Sequence, residues 1–148
     1  MFDNINESNL SRFVRVQSSS YESTKEELLN GRKESHWMWY IFPQLRGLGH
    51  SSISYEYGIE NIEEAKLYFN DKILGSRLVE LCNILLKLEC NDVSRIFGYP
   101  DDMKLKSSMT LFHIATKEKV FKDVLDKFFN GELDNKTIEL LRKEWITL

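Results

Sequence analysis

The segment 72-KILGSRLVELCNILLKLE-89 places Leu74, Leu78, Leu81, Leu85 and Leu88 on one side of a helix. An apolar residue every three or four positions over this length specifies an amphipathic α-helix, and the segment reads as the central one of the fold. The same period recurs along the chain. Leu10, Phe13, Val14 and Gln17 fall at i, i+3, i+4 and i+7, with Ser8 or Asn9 as the N-cap. The run 18-SSSYES-23 reads as a helix break or turn, followed by a helix from about Tyr21 to Asn30 that Gly31 closes. Asn61 and Glu64 form a capping box for a helix through Phe69. A short helix from Asp92 to Phe97 stops at Gly98. Pro100 suits the first helical position ahead of 101-DDMKLKSSMTLFHIAT-116, whose aspartates lie at the positive end of the helix dipole. A helix from about Glu118 to Phe129 ends at Asn130 and Gly131, and Asp134 caps a last one carrying Ile138, Leu141 and Trp145. Strand signals are scarce. In 37-WMWYIF-42 the aromatics fit a short strand or a helical turn, and Ser35 as N-cap with Pro43 as terminator favours the turn. The expectation is an all-α protein in which residues 1–148 form a single helical domain, a bundle of about seven to nine helices.

Composition removes several classes of function. A chain of 148 residues is long enough to bury roughly 70% of the surface it exposes when unfolded, so no staple is required. Twenty basic residues against 23 acidic ones give a net charge of -3, with no basic stripe, which argues against nucleic acid as a partner. Cys82 and Cys90 lie eight positions apart in one helix, about 12 Å of rise, too far to pair. The N-terminus lacks the basic and apolar regions of a signal peptide. The longest apolar run, Trp37 to Phe42, is far short of the ~20 residues a membrane helix needs. A cytoplasmic protein with reduced thiols and no membrane partner is expected.

Chemistry concentrates in two segments. The first, 35-SHWMWYIFPQLRGLGHSS-52, sets an aromatic run beside a glycine- and hydroxyl-rich turn. Gly47 and Gly49 let backbone amides approach a ligand closely. Arg46 offers a forked donor for phosphate or carboxylate. Ser51 supplies a hydroxyl and can cap a following helix. Trp37 and Trp39, two positions apart, diverge by about 200° on a helix, so one can face the core and the other a cleft. The second segment, 104-KLKSSMTLFH-113, sets Lys104, Ser107 and Ser108 on one stripe at i, i+3 and i+4, with Thr110 beside them. A cation with hydroxyls can hold an anion, whereas the plain alternative is that the serines allow close helix packing. The spacing of His36, His50 and His113 matches no HExxH pattern, and no metal or other cofactor is expected.

The blocks 13-FVRVQ-17, 31-GRKESHWMWYIFPQLRGLG-49, 74-LGSRL-78, 96-IFGYPDDMKLKSSMTLF-112 and 131-GELDNKTIELL-141 resemble a bacterial family filed as domain of unknown function 1810. The resemblance runs from about Leu10 to Leu141. It implies a mainly helical single domain and brings no established activity. Its two strongest blocks coincide with the two segments singled out on chemical grounds.

The functional expectation is a protein that binds a small anionic metabolite of nucleotide or ADP-ribose type, with hydrolysis or group transfer left open. Lys104 and the Gly47–Ser51 turn would hold phosphate, Trp37 or Trp39 would stack on a ring, and Gln44 would read a hydroxyl or base edge. Arg46, Ser107, Ser108 and Thr110 would line the same pocket. His36 is the candidate general acid/base, because an imidazole ordinarily titrates near neutrality. The alternative from another class is a non-enzymatic helical interaction module, a homodimer being one form, in which the aromatics are core or interface and the last helix with Trp145 docks a partner.

Overall fold

A computed structural model describes the backbone of residues 2–147 and the side chains of residues 9–143. Trp145 lies outside the described side chains. Among the described residues the chain forms nine helices: α1 (Phe2–Leu29), α2 (Met38–Ile41), α3 (Ser52–Glu56), α4 (Ile62–Asn70), α5 (Lys72–Lys87), α6 (Val93–Phe97), α7 (Asp101–Thr116), α8 (Lys119–Phe129) and α9 (Asn135–Thr147). The all-α architecture is as the periodicity implies. The one β feature described is an isolated parallel bridge between Leu45 and Ile59.

The serine run does not break the first helix, which also begins well before Ser8 and Asn9. Ser18 and Ser20 donate their hydroxyls to the carbonyls of Val14 and Val16, one turn back, so their local hydrogen bonding stays within the helix. The larger reason is burial. Leu10, Phe13, Gln17, Tyr21, Thr24 and Leu28 form an unbroken buried stripe through the serines. Tertiary packing of that stripe outweighs the weak helix propensity of the exposed residues between.

Local end signals hold elsewhere. Gly31 takes a positive φ of 75° and donates its amide to Leu28 O, turning the chain out of α1. The amide of Glu64 donates to Asn61 Oδ1, while the Glu64 carboxylate accepts from the Glu60 amide, one residue before the position a strict capping box uses. Asp71, Asp92 and Asp134 each accept from amides at the starts of α5, α6 and α9. Pro100 precedes the first helical residue of α7 rather than being it, and its carbonyl accepts from the Met103 and Lys104 amides. Ser35 does not cap α2; its hydroxyl goes to Glu27 instead.

The centre of the bundle is α7, not α5. It packs against α4, α6, α8 and α9, and every residue from Ser107 to Phe112 is buried. Its serines and threonine hide this in the sequence, since they dilute the apolar signal while packing as small side chains. Aromatic contacts tie the layers together: Tyr68 meets Phe112 at 5.3 Å, and Phe112 meets Phe121 at 5.6 Å between ring centroids. This core fixes α7, whose Lys104 reaches the Trp39 ring of α2, and so sets the geometry of the candidate site.

Candidate functional site

The turn that carries the first cluster is closed by a single carboxylate. Glu27, in the last turn of α1, accepts from the amides of Glu34 and Ser35 and from the indole N–H of Trp37, at 2.7, 2.9 and 2.9 Å, while its second oxygen accepts the Ser35 hydroxyl at 2.7 Å. Burial alone would raise the carboxyl pKa, but these donors together outweigh it and hold Glu27 at about 2. The ring of Trp37 is thereby seated in the core, 1% exposed, against Phe42 and Phe97. Trp37 is therefore enclosed, and Trp39 is the half-buried member of the pair.

Trp39 meets the second cluster. The Lys104 ammonium lies 4.9 Å from the Trp39 ring centroid, a cation–π approach. Asp101, one turn before Lys104, pairs with it at 3.3 Å and with Lys33 at 2.8 Å. Lys33 also donates to Ser35 O and sits 5.1 Å from the Trp37 ring centroid. Two ammonium groups, one carboxylate and two indoles thus form a continuous cluster where α7 begins. His36 is exposed, next in sequence to Trp37.

The remainder of the first cluster builds its own loop. The Arg46 amide donates to Ile59 O and the Ile59 amide to Gln44 O, making the isolated bridge. The Arg46 side chain donates through Nε to Tyr55 O at 2.8 Å, with its guanidinium 4.4 Å from the Tyr55 ring centroid. Gly47 is exposed with a φ of 108°, a conformation that favours glycine. A Cβ at Gly49 would fall 2.5 Å from Ser54 Oγ, so the close approach there requires glycine as well. Ser51 caps α3, its hydroxyl accepting from the Ser54 amide at 3.1 Å. Among the described residues no hydrogen bond, ion pair or ring contact links Lys104 to Gln44, Arg46, Gly47, Gly49 or Ser51.

Ser107, Ser108 and Thr110, which share α7 with Lys104, are buried. Ser107 donates to Met103 O, one turn back. Thr110 donates to Lys106 O and accepts from the Asp134 amide, fastening the start of α9 to α7. Ser108 is fully buried, and its hydroxyl has no partner among the described residues. The structure therefore brings Lys104 and Trp39 together, sets His36 in solvent, and encloses Trp37, Ser107, Ser108 and Thr110. Sequence reasoning missed Glu27, Lys33 and Asp101. The i, i+3 spacing of Asp101 and Lys104 was a usable signal, whereas the pairing of Lys33 with Asp101 is a long-range contact with none.

The sequence matches the family model described as protein of unknown function DUF1810 over residues 7–141, and the chain belongs to that family. Among solved structures it is similar to the crystal structure of the conserved hypothetical protein Rv1873 from Mycobacterium tuberculosis. The identity is 46%, the match covers 90% of this chain and 96% of that one, and the TM-score is 0.89. No curated protein matches the sequence.

Proposed function

We propose that the protein binds a small anionic metabolite with an aromatic ring, of nucleotide or ADP-ribose type, on the face formed by Trp39 and Lys104. The observation that carries this is the 4.9 Å approach of the Lys104 ammonium to the Trp39 ring, which joins two segments far apart in sequence. A half-buried indole offers a flat surface for a base, worth roughly 1–3 kcal/mol per stacked ring. Lys104 supplies the charge for a phosphate, and Asp101 holds it in place while Lys33 takes up the other carboxylate oxygen. His36, exposed and three positions before Trp39 in the sequence, is the candidate to exchange a proton if a reaction follows. The two free thiols and the absence of any helix long and apolar enough to cross a membrane, among the described residues, accord with a cytoplasmic setting. Thermal shift against nucleotides and sugar phosphates tests the proposal. A raised midpoint for wild type that is absent in Lys104→Ala supports it, and an unmoved midpoint at millimolar ligand contradicts it.

A second reading, a helical interaction module without chemistry, is favoured by the burial of Trp37, Ser107, Ser108 and Thr110, which serve packing. It predicts no metabolite response and a concentration-dependent oligomer by sedimentation.

A further inference from the structure

A separate groove of about 850 Å³ runs along α5, between the end of α1 and the corner joining α4 to α5. None of its thirteen lining residues belongs to the Trp39–Lys104 face. One stripe of α5, marked by Lys72, Ser76, Val79, Asn83 and Lys87, forms a wall. These positions span ~22 Å at the helical rise. The floor is apolar, made by Leu29, Phe69, Val79 and Ile84, and Leu29 is 57% exposed there.

The groove lining carries one more basic than acidic side chain, Lys25, Lys72 and Lys87 against Asp71 and Glu80. Its two carboxylates are already engaged: Glu80 accepts the Tyr21 hydroxyl and pairs with Lys25, and Asp71 accepts the Ile73 and Leu74 amides. Lys72 and Lys87, at opposite ends of the stripe, have no ion-pair partner among the described residues. An apolar floor with a free cation at each end is complementary to an alkyl chain with an anionic head. Size favours a small ligand over a protein: the volume lies within the range of small-molecule sites, and thirteen residues are about half of what one side of a standard protein interface contributes. We infer that the α5 groove binds an amphiphile in which an alkyl chain ends in a carboxylate or phosphate. A lysine acts as a compact point charge and does not choose between those heads.

The test is titration of the full chain with dodecanoate and with dodecyl phosphate, below their micellar concentrations, followed by backbone amide spectra. Dodecanol, acetate and an acidic amphipathic peptide serve as comparison ligands. The inference predicts saturable binding of at least one anionic amphiphile, with shifts centred on α5, and at least tenfold weaker binding of dodecanol and acetate. Replacing Lys72 and Lys87 together by Glu should weaken binding at least tenfold, and Ser76→Trp should block it, with helicity by circular dichroism unchanged in both. Failure of both amphiphiles to saturate overturns the inference. So does dodecanol binding as tightly as dodecanoate, or saturation by the peptide alone. Because the two faces share no residue, none of these results bears on the Trp39–Lys104 site.

Discussion

Trp37 and Glu27 are joined by a 2.9 Å hydrogen bond from the indole to a carboxylate that also accepts the Glu34 and Ser35 amides and the Ser35 hydroxyl. This one side chain thus ties residues 34–37 to the last turn of α1. Glu27→Gln keeps the shape but removes the ionised acceptor. The expected loss is about 1–2 kcal/mol in urea unfolding, kept low because the carboxylate is partly solvated.

The same carboxylate sets an acid limit. Its pKa is held at about 2 in the fold, against an ordinary value of 4.5 when unfolded. The unfolded chain therefore binds the proton first, and the contribution present above 4.5 is lost as pH falls toward 2. The stability difference between wild type and Glu27→Gln should shrink across that window.

His113 acts nearer neutrality. Burial lowers its pKa below the ordinary 6.5, Lys117 and Lys122 push the same way, and Asp126 opposes them. Its Nδ1 is buried without a hydrogen-bond partner among the described residues. The folded state binds the proton less readily than the unfolded one, so stability is complete above 6.5 and declines as pH falls below it. His113→Gln should lose less stability than wild type between about pH 8 and pH 5, measured by thermal unfolding.

Lys127 reaches from α8 to the end of α5, where its ammonium donates to the carbonyls of Leu85, Leu86 and Leu88. A cation there satisfies groups that the helix leaves open and complements its dipole. Lys127→Met preserves much of the apolar stem and strands those carbonyls. Chemical denaturation should show a loss of about 1–3 kcal/mol.

Ser108 makes the opposite case. Its fully buried hydroxyl lacks a partner among the described residues, so Ser108→Ala should be neutral or stabilising by up to about 1 kcal/mol in the same assay.

These contacts also show what a linear reading can reach. Asp92, Asp134, Gly31 and Gly98 were legible because a helix end is decided within a few residues of itself. The serine run misled because its outcome depends on the buried stripe of α1, a property of the whole fold. The centrality of α7 was concealed because Ser107, Ser108 and Thr110 look polar yet pack as small groups inside the bundle. The bridge between Leu45 and Ile59 has no period to detect. At the candidate site, Trp37 and Trp39 do part as expected, one enclosed and one half-buried, but Trp37 precedes α2 instead of lying in it, and the capture of Trp37 by Glu27 and of Lys33 by Asp101 required folded coordinates.

The proposed site stands or falls on whether Trp39 and Lys104 together hold an anionic, ring-bearing ligand. Calorimetric titration of ADP-ribose and ATP into wild type, Trp39→Ala, Lys104→Ala and the double variant tests it most directly. Wild type should bind saturably, with a loss of roughly 1–3 kcal/mol for Trp39→Ala and a comparable loss for Lys104→Ala. The two losses should not add, because the residues touch. Absence of binding by wild type, or binding that neither substitution changes, would contradict the proposed site.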